Sequence, residues 1–382
     1  TLGGTILTYL LTRNVTKMLA VLMVDFSCAL KLAMPIAVLS AMREASASHI
    51  SVKGGRFLEA VANANTVVFD KTGTLTYATP KVAGTVTFAD YKEEDMLRLA
   101  ACLEEHYPHS MANAVVEAAK ERGLSHEEYH SQVQYIVAHG ISSMVEGKKV
   151  IIGSSHFVFE DEGCHVPAGD EEKFRSLPAA YSHLYLCIAG ELAAVICIYD
   201  PLRKEAADAV RALHACGIGK VVMMTGDNRK TAEAVAAQVG VDEVYAEVLP
   251  EDKAAFIRAE KAAGRTVIMI GDGVNDSPAL SEADAGIAIS TGAAIAREIA
   301  DITIASEDLF ELVTLRRLST ELMARIHCNY RFIVSFNFSL IVLGVAGILP
   351  PTTSALLHNT STLAISLKSM TNLLPAQEPE HQ

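Results

Sequence analysis

Asp70 ends the apolar run Thr66-Val67-Val68-Phe69 and opens the stretch Asp70-Lys71-Thr72-Gly73-Thr74-Leu75-Thr76. A short apolar run before turn residues reads as a buried strand, which sets this carboxylate at its carboxyl end, where open α/β sheets bind ligands. A carboxylate so placed can act as a nucleophile. Gly73 lets the backbone turn sharply, and the threonine hydroxyls with successive backbone N–H groups can hold phosphate oxygens. The chemistry this spacing suits is transfer of a phosphoryl group to Asp70.

An Asp that ends a strand is usually a turn residue. Three further segments raise its significance. Val221-Val222-Met223-Met224 runs into Thr225-Gly226-Asp227-Asn228, and Val267-Ile268-Met269-Ile270 runs into Gly271-Asp272-Gly273-Val274-Asn275-Asp276. Pro250-Glu251-Asp252-Lys253 is expected after a helix. Each offers polar residues suited to phosphate or magnesium at the end of an element. Phosphoryl transfer asks for in-line positioning and charge neutralisation, which a lysine, a hard cation on carboxylates, and hydroxyl or N–H donors supply.

On these residues the chain resembles the P-type ATPases, within the haloacid dehalogenase-like group, over nearly its whole length. Asp70-Lys71-Thr72-Gly73-Thr74 and Gly271-Asp272-Gly273-Val274-Asn275-Asp276 carry the resemblance. It implies that Asp70 attacks the γ-phosphate of ATP and that Asp70, Asp272 and the Thr72 carbonyl hold Mg²⁺. Thr225 and Lys253 would neutralise the transferred oxygens, with Thr74 and Gly226 also at the cofactor. Asp227, Asn275 and Asp276 would position the metal, its waters and the loop. Related soluble phosphatases keep a second Asp two residues after the nucleophile; here that position is Thr72, which cannot serve as acid and base near neutral pH. The acyl phosphate is therefore expected to persist long enough to drive a conformational change.

The 382 residues suffice for two or three domains, and half of them are apolar, ample for a large core. Mean hydropathy is +0.26, high for a soluble protein. A net charge of −13 with no long basic run argues against nucleic acid as a partner. The seven cysteines show neither a Cys-x-x-Cys pair nor a zinc-site spacing, and read as reduced thiols.

Apolar stretches account for the hydropathy. Met18 to Met42 is long enough to cross a hydrocarbon core of ~30 Å. Ile333 to Leu349 makes a second span, and after Pro350-Pro351 a weaker third runs from Thr352 to Leu374. Residues 3–10 read as the end of another span, so the chain is expected to begin within a longer protein. Arg43, Lys53 and Arg56 on one side, and Arg316, Arg317, Arg325 and Arg331 on the other, flank a single large aqueous segment. By the positive-inside rule that segment is cytoplasmic, which makes this an integral membrane protein, expected in a bacterial plasma membrane.

The expected fold class is α/β: a haloacid dehalogenase-like, Rossmann-like parallel sheet with an inserted α+β nucleotide-binding domain, and transmembrane helices at both ends. Strands ending at Phe69, Met224 and Ile270 share a sheet with short strands at Ala285 to Ser290 and Asp301 to Ala305. Helices at Lys204 to Cys216 and Lys230 to Val239 alternate with them. Transmembrane helices occupy 1–42, the phosphorylation domain 43–77 and 199–320, the nucleotide-binding domain 78–198, two further membrane helices 321–375, and a tail 376–382. The insert is expected to hold strands and two helices, and Asp200-Pro201-Leu202-Arg203 marks the return from it. By the resemblance to the heavy-metal branch it binds the adenine through Glu104, His109 and Gly140. The sequence departs from that branch at His109-Ser110, at Tyr107-Pro108 and at Ala138, and His106 rivals His109.

The transported ion would be set in the membrane. Heavy-metal pumps carry Cys-Pro-Cys in the span before the phosphorylated Asp. Here Cys28 remains, with Asp25 and Lys31 three residues to either side, which a regular helix places within roughly 120° of arc. Buried charges in a span cost ~2.5–3.5 kcal/mol each at its centre, so an idle Asp and Lys are unexpected, though an internal ion pair is an alternative. His358-Asn359-Thr360-Ser361-Thr362 resembles the His-Glu-Gly-x-Thr pattern of one branch, and Asn337 is a weaker candidate whose expected role is helix packing. One thiolate with imidazole, carboxylate and amide oxygens suits a divalent ion (Zn, Co, Fe, Mn or Cd) better than Cu⁺.

The reading is the carboxyl-terminal portion of a heavy-metal P-type ATPase that exports a transition-metal ion at the expense of ATP. The actuator domain and upstream membrane segments would be partners outside this sequence, without which Asp70 is phosphorylated but does not turn over. A copper-transporting pump, a pump for alkali or alkaline-earth ions, and a membrane-tethered phosphohydrolase or nucleotide-binding regulator without transport are the alternatives.

Overall fold

The computed structural model describes residues 2–24, 26–77, 79–105, 110–124, 134–136, 140–178, 181–272, 276–289, 298–306 and 308–375, with backbone alone at 26–28, 110 and 134–136. Strands numbered β1–β13 in chain order form two sheets among them. The first has the order β1-β13-β12-β11-β2-β9-β10. Its members are β1 (Ile50–Val52), β2 (Thr66–Asp70), β9 (Lys220–Met224), β10 (Glu243–Tyr245), β11 (Val267–Gly271), β12 (Ala285–Ile289) and β13 (Ile302–Ile304). All pairs are parallel except β1 with β13, an antiparallel edge that the sequence did not signal.

The central strands are apolar at successive positions because both faces are covered. Val67, Phe69, Val221, Met223, Ile268 and Ile270 meet Leu58, Val61, Val210, Leu213 and Leu315 on one side. Val68, Val222, Met224, Val267 and Met269 meet Ile257, Ala279 and Leu280 on the other. β2 lies between β9 and β11, with Asp70 beside Met224 and Phe69 beside Ile270. The loops that follow β2, β9 and β11 therefore emerge together at one edge of the sheet. Pro250-Glu251-Asp252-Lys253, expected after a helix, instead opens one, Pro250–Ala262, because proline suits a first helical position and the Asp252 carboxylate accepts the Leu249 N–H at 3.2 Å.

The second sheet is antiparallel, in the order β3-β8-β7-β6-β5-β4. It comprises β3 (Lys81–Thr87), β4 (Gln134–Ile136), β5 (Gly140–Val145), β6 (Lys148–Gly153), β7 (Ser182–Ile188) and β8 (Glu191–Tyr199). Leu97, Leu103 and Val115 of the helices Glu93–Glu104 and Ser110–Glu121 cover one face. Phe88, Phe157 and Tyr185 form a core on the other, with Phe174 of a third helix, Glu171–Arg175, packed against it. That helix is one turn long, too short to leave a periodic pattern. Two connections join the sheets side by side: Tyr77 donates to the Pro201 carbonyl at 3.1 Å, and Arg203 to the Leu75 carbonyl at 2.9 Å.

The remaining helices are Leu2–Thr12, Val15–Leu22, Phe26–Ala47, Phe310–Val345 and Pro351–Ser369. The single span expected from Met18 to Met42 is divided between two of these, since the Met23 N–H closes on the Leu19 carbonyl and helix resumes at Phe26. Of the stretch Ile333 to Leu349, residues 333–345 belong to a 36-residue helix that begins in the hydrophobic core of the first sheet and ends at Val345. Among the described residues, Phe310–Val345 is the helix long and apolar enough to cross a membrane by length and composition.

Candidate phosphoryl-transfer site

Two acids and one ammonium converge where β2 and β11 end, with Asp272 close enough to act on Asp70 electrostatically. Lys253 Nζ, from the first turn of helix Pro250–Ala262, donates to Asp70 Oδ1 at 2.5 Å and to Asp276 Oδ1 at 2.7 Å. All three residues are buried. Burial first, then the neighbouring Asp276 carboxylate, pushes the Asp70 pKa up to about 7 against the pull of Lys253, and Asp272 adds to the rise. Burial alone would lower the Lys253 pKa, but the two carboxylates outweigh it and hold the ammonium charged.

The set fits a hard cation. It carries excess negative charge, and Asp276 Oδ2 is buried with no hydrogen-bond partner among the described residues. A side chain at Gly271 would put its Cβ 2.5 Å from that oxygen, so the glycine before Asp272 is what lets Asp276 approach. Asn275 lies outside the described residues.

The loop after Asp70 turns at Gly73, whose φ of 74° favours glycine. The Gly73 N–H donates to Thr76 Oγ1 at 3.0 Å, and that hydroxyl donates in turn to the Lys71 carbonyl at 3.3 Å. Thr74 is fully buried with its hydroxyl unpartnered among the described residues, and its carbonyl accepts from Arg203 Nε at 2.9 Å. In this conformation the Thr74 hydroxyl faces the interior. Thr225, next to Met224 and hence beside Asp70, is buried and accepts the Asp227 N–H at 3.1 Å, while Gly226 is exposed.

Asp227 joins the two sheets. One of its oxygens pairs with Lys71 Nζ, and the other accepts from Ser182 Oγ, at the start of β7, at 2.9 Å. Thr231 Oγ1 donates to the Tyr181 carbonyl at 2.8 Å beside this link. Lys71, Ser182 and Arg203 are site residues to which sequence reasoning gave no role. Lys71 sat in the signature itself and Arg203 in the stretch marked as the return from the insert; Ser182 left no signal, because its meaning comes from the contact.

In the insert, Glu104 is buried at the end of helix Glu93–Glu104. A Cβ at Gly140 would stand 2.4 Å from the Ile152 carbonyl and 2.5 Å from Phe157 Cδ1, so the sheet itself requires glycine there. His109 and its rival His106 lie outside the described residues.

The expected ion site is only partly assembled. Asp25 and the Cys28 side chain lie outside what is described. Lys31 is exposed, whereas Ala29, Ala33, Ala37, Ala41 and Ala45 form the buried row of their helix. Two residues past Ala29, Lys31 lies roughly 200° round the helix, away from the row that packs on Ile333 and Ile365. His358 is buried, and its Nδ1 is 3.1 Å from Oδ1 of the buried Asn337, across the last two helices. The structure thus pairs His358 with Asn337, and Lys31 lies off the packed alanine row.

The pattern of the haloacid dehalogenase-like hydrolases matches residues 64–284. The chain is 37% identical over 363 residues to a probable copper-exporting P-type ATPase V of Mycobacterium tuberculosis, covering 94% of this chain and 46% of that protein. It is 34% identical over 365 residues to a manganese-exporting P-type ATPase of Mycobacterium leprae, covering 95% and 50%. A crystal structure of a zinc-transporting PIB-type ATPase in an E2.Pi state matches with a TM-score of 0.65 at 29% identity, over 90% of this chain and 55% of the other. The chain spans about half the length of the curated relatives it matches.

Proposed function

This chain belongs to the haloacid dehalogenase-like hydrolases and is homologous to metal-exporting P-type ATPases, and from that premise we propose that it takes the γ-phosphoryl group of ATP onto Asp70 and couples the aspartyl phosphate to export of a transition-metal ion. The observation that carries the reading is the buried Asp70–Lys253–Asp276 cluster at the carboxyl end of the central strand. An Asp70 carboxylate oxygen attacks the γ-phosphorus in line, the bond to the β-phosphate oxygen breaks, and ADP leaves. Lys253 and Thr225 balance charge on the transferred oxygens. Mg²⁺ held by Asp70, Asp272 and the Thr72 carbonyl would neutralise charge on the phosphate oxygens. With Thr72 where a phosphatase carries its second acid, no side chain at that position activates water, which favours a lasting phosphoenzyme over simple hydrolysis.

For the ion, the His358–Asn337 pair adds nitrogen and oxygen donors to the single thiol of Cys28, a mixture that suits a divalent borderline metal. Copper is the second reading, because the names of the relatives include copper, manganese and zinc exporters. The apolar helix Phe310–Val345 and the flanking basic residues support a membrane protein with its catalytic part in the cytoplasm.

The experiment is ATPase activity of the full-length pump across a panel of divalent and monovalent metals, repeated with Cys28→Ala and His358→Ala. Stimulation by one transition metal that both variants weaken supports the reading. Activity indifferent to every transition metal overturns export, and stimulation untouched by either variant overturns the ion site alone.

A further inference from the structure

Arg316, counted in the sequence among the basic residues that flank the aqueous segment, is buried in the structure and takes no part in the phosphoryl-transfer site. It lies two turns into helix Phe310–Val345, 8% exposed. Its Nη1 donates to the Val61 carbonyl, and its Nε to the Cys216 carbonyl at 3.3 Å. Val61 belongs to the last turn of helix Gly55–Asn63, and Cys216 caps helix Ala206–Ala215. Among the described residues no carboxylate pairs with Arg316, so its charge is met by the carbonyl ends of two helices, which carry partial negative charge.

These two helices have one thing in common. Gly55–Asn63 leads directly into β2, which ends in Asp70, and Ala206–Ala215 leads into β9, which ends beside Thr225. The two junctions are also tied together, since Gly219 and Lys220 both donate to the Asn65 carbonyl at 3.1 Å. Arg316 therefore grips the entry ends of the two strands whose exit ends carry phosphoryl chemistry. Gly217, with φ of 88°, turns the chain between the Cys216 cap and β9, beside the guanidinium.

The helix that carries Arg316 continues without a break to the buried Asn337, which meets His358, and on the way Asn329 Nδ2 donates to Ser369 Oγ at 3.0 Å. The 21 residues from Arg316 to Asn337 correspond to ~30 Å of helix. Burial of an arginine without an acid partner is poorly explained by stability, because packed apolar groups of similar volume usually serve a core as well. What a guanidinium adds is a fixed, two-pronged register between this helix and both strand entries.

We propose that Arg316 is a positioning residue that couples the Asp70 site to the membrane-directed half of helix Phe310–Val345, so that a shift of that helix moves β2 and β9 together. The inference rests on the reading of the chain as a metal-stimulated ATPase.

The test uses the full-length pump, with acid-quenched phosphoenzyme formed from ATP while Zn²⁺, Mn²⁺ or Cu⁺ is titrated. Arg316→Lys keeps the charge but loses the fork; Arg316→Met removes both. Coupling through Arg316 predicts that the half-maximal metal concentration shifts roughly tenfold or more in both variants, within the usual range for coupled sites, while the KM for ATP stays within about twofold. If Arg316→Met does not fold, Arg316→Lys carries the test, with its melting temperature as the control. An unchanged metal dependence in Arg316→Lys overturns the inference, and so does a loss of metal response, ATP affinity and melting temperature in parallel, which marks a purely structural residue. A wild-type protein whose phosphorylation ignores all three metals overturns the functional reading itself, and the inference with it.

Discussion

Lys253 Nζ stands 2.5 Å from Asp70 Oδ1 across 183 residues of sequence, and the same ammonium holds Asp276 at 2.7 Å. One buried cation thus holds both the nucleophile and the carboxylate of Asp276. Opposing charges are what let the carboxylates crowd together away from water.

Lys253→Met should slow phosphorylation of Asp70 by about 10²–10³-fold, the usual effect of removing one preorganised charge partner at such a centre. The native state should also lose roughly 3–5 kcal/mol, because Asp70 and Asp276 are left buried and uncompensated. Quenched-flow phosphorylation and urea unfolding read the two effects. Near-normal phosphorylation by the variant would remove Lys253 from the site.

The pH dependence of stability has a definite sign. In metal-free protein the Asp70 carboxyl is raised from 3.8 to about 7, chiefly by burial. A carboxyl whose folded-state pKa lies above its unfolded value stabilises the fold below the unfolded pKa, and that contribution is lost as pH rises through the folded one. Asp70→Asn does not titrate, so its stability relative to wild type should improve by about 2–3 kcal/mol between about pH 5 and about pH 8 in the presence of chelator. Urea unfolding at the two pH values measures it. A difference that stays constant, or falls, would show that Asp70 is not held protonated by its surroundings.

Asp227 is the contact between the signature loop and the insert, through Lys71 and Ser182. Ser182→Ala should cost only about 1 kcal/mol, the net value of an ordinary hydrogen bond. Asp227→Ala should cost about 3–5 kcal/mol, because the buried Lys71 ammonium loses its counter-charge. Adding Lys71→Met to Asp227→Ala should recover part of that loss. Equal effects of the two single substitutions would mean that the Lys71 pair contributes nothing.

Much of this arrangement was legible in the chain. The apolar runs before Asp70, Thr225 and Asp272 named the central strands, because burial on both faces leaves a continuous apolar signature. The resemblance carried by the Asp70 and Asp272 motifs implied a neutralising role for Lys253 and a positioning role for Asp276 before any distance was known. Other features were hidden for physical reasons. β1 is three residues long and owes its existence to an edge contact with β13. The link from Ser182 to Asp227 depends on how two domains meet, which no local pattern encodes. Lys31 read as one of three polar residues within one arc of a helix; the row of alanines from Ala29 to Ala45 forms the face packed within this chain, which a wheel alone does not identify, and Lys31 lies off that row.

The central claim is that Asp70 carries the phosphoryl group, and the direct measurement is acid-quenched labelling of the full-length protein with γ-labelled ATP and Mg²⁺, followed by hydroxylamine. The account predicts an acid-stable, hydroxylamine-sensitive label that depends on a transition metal, absent in Asp70→Asn, and mapped to the peptide containing Asp70. Label that persists in Asp70→Asn, or no acyl phosphate in the wild-type protein under any metal, would contradict it.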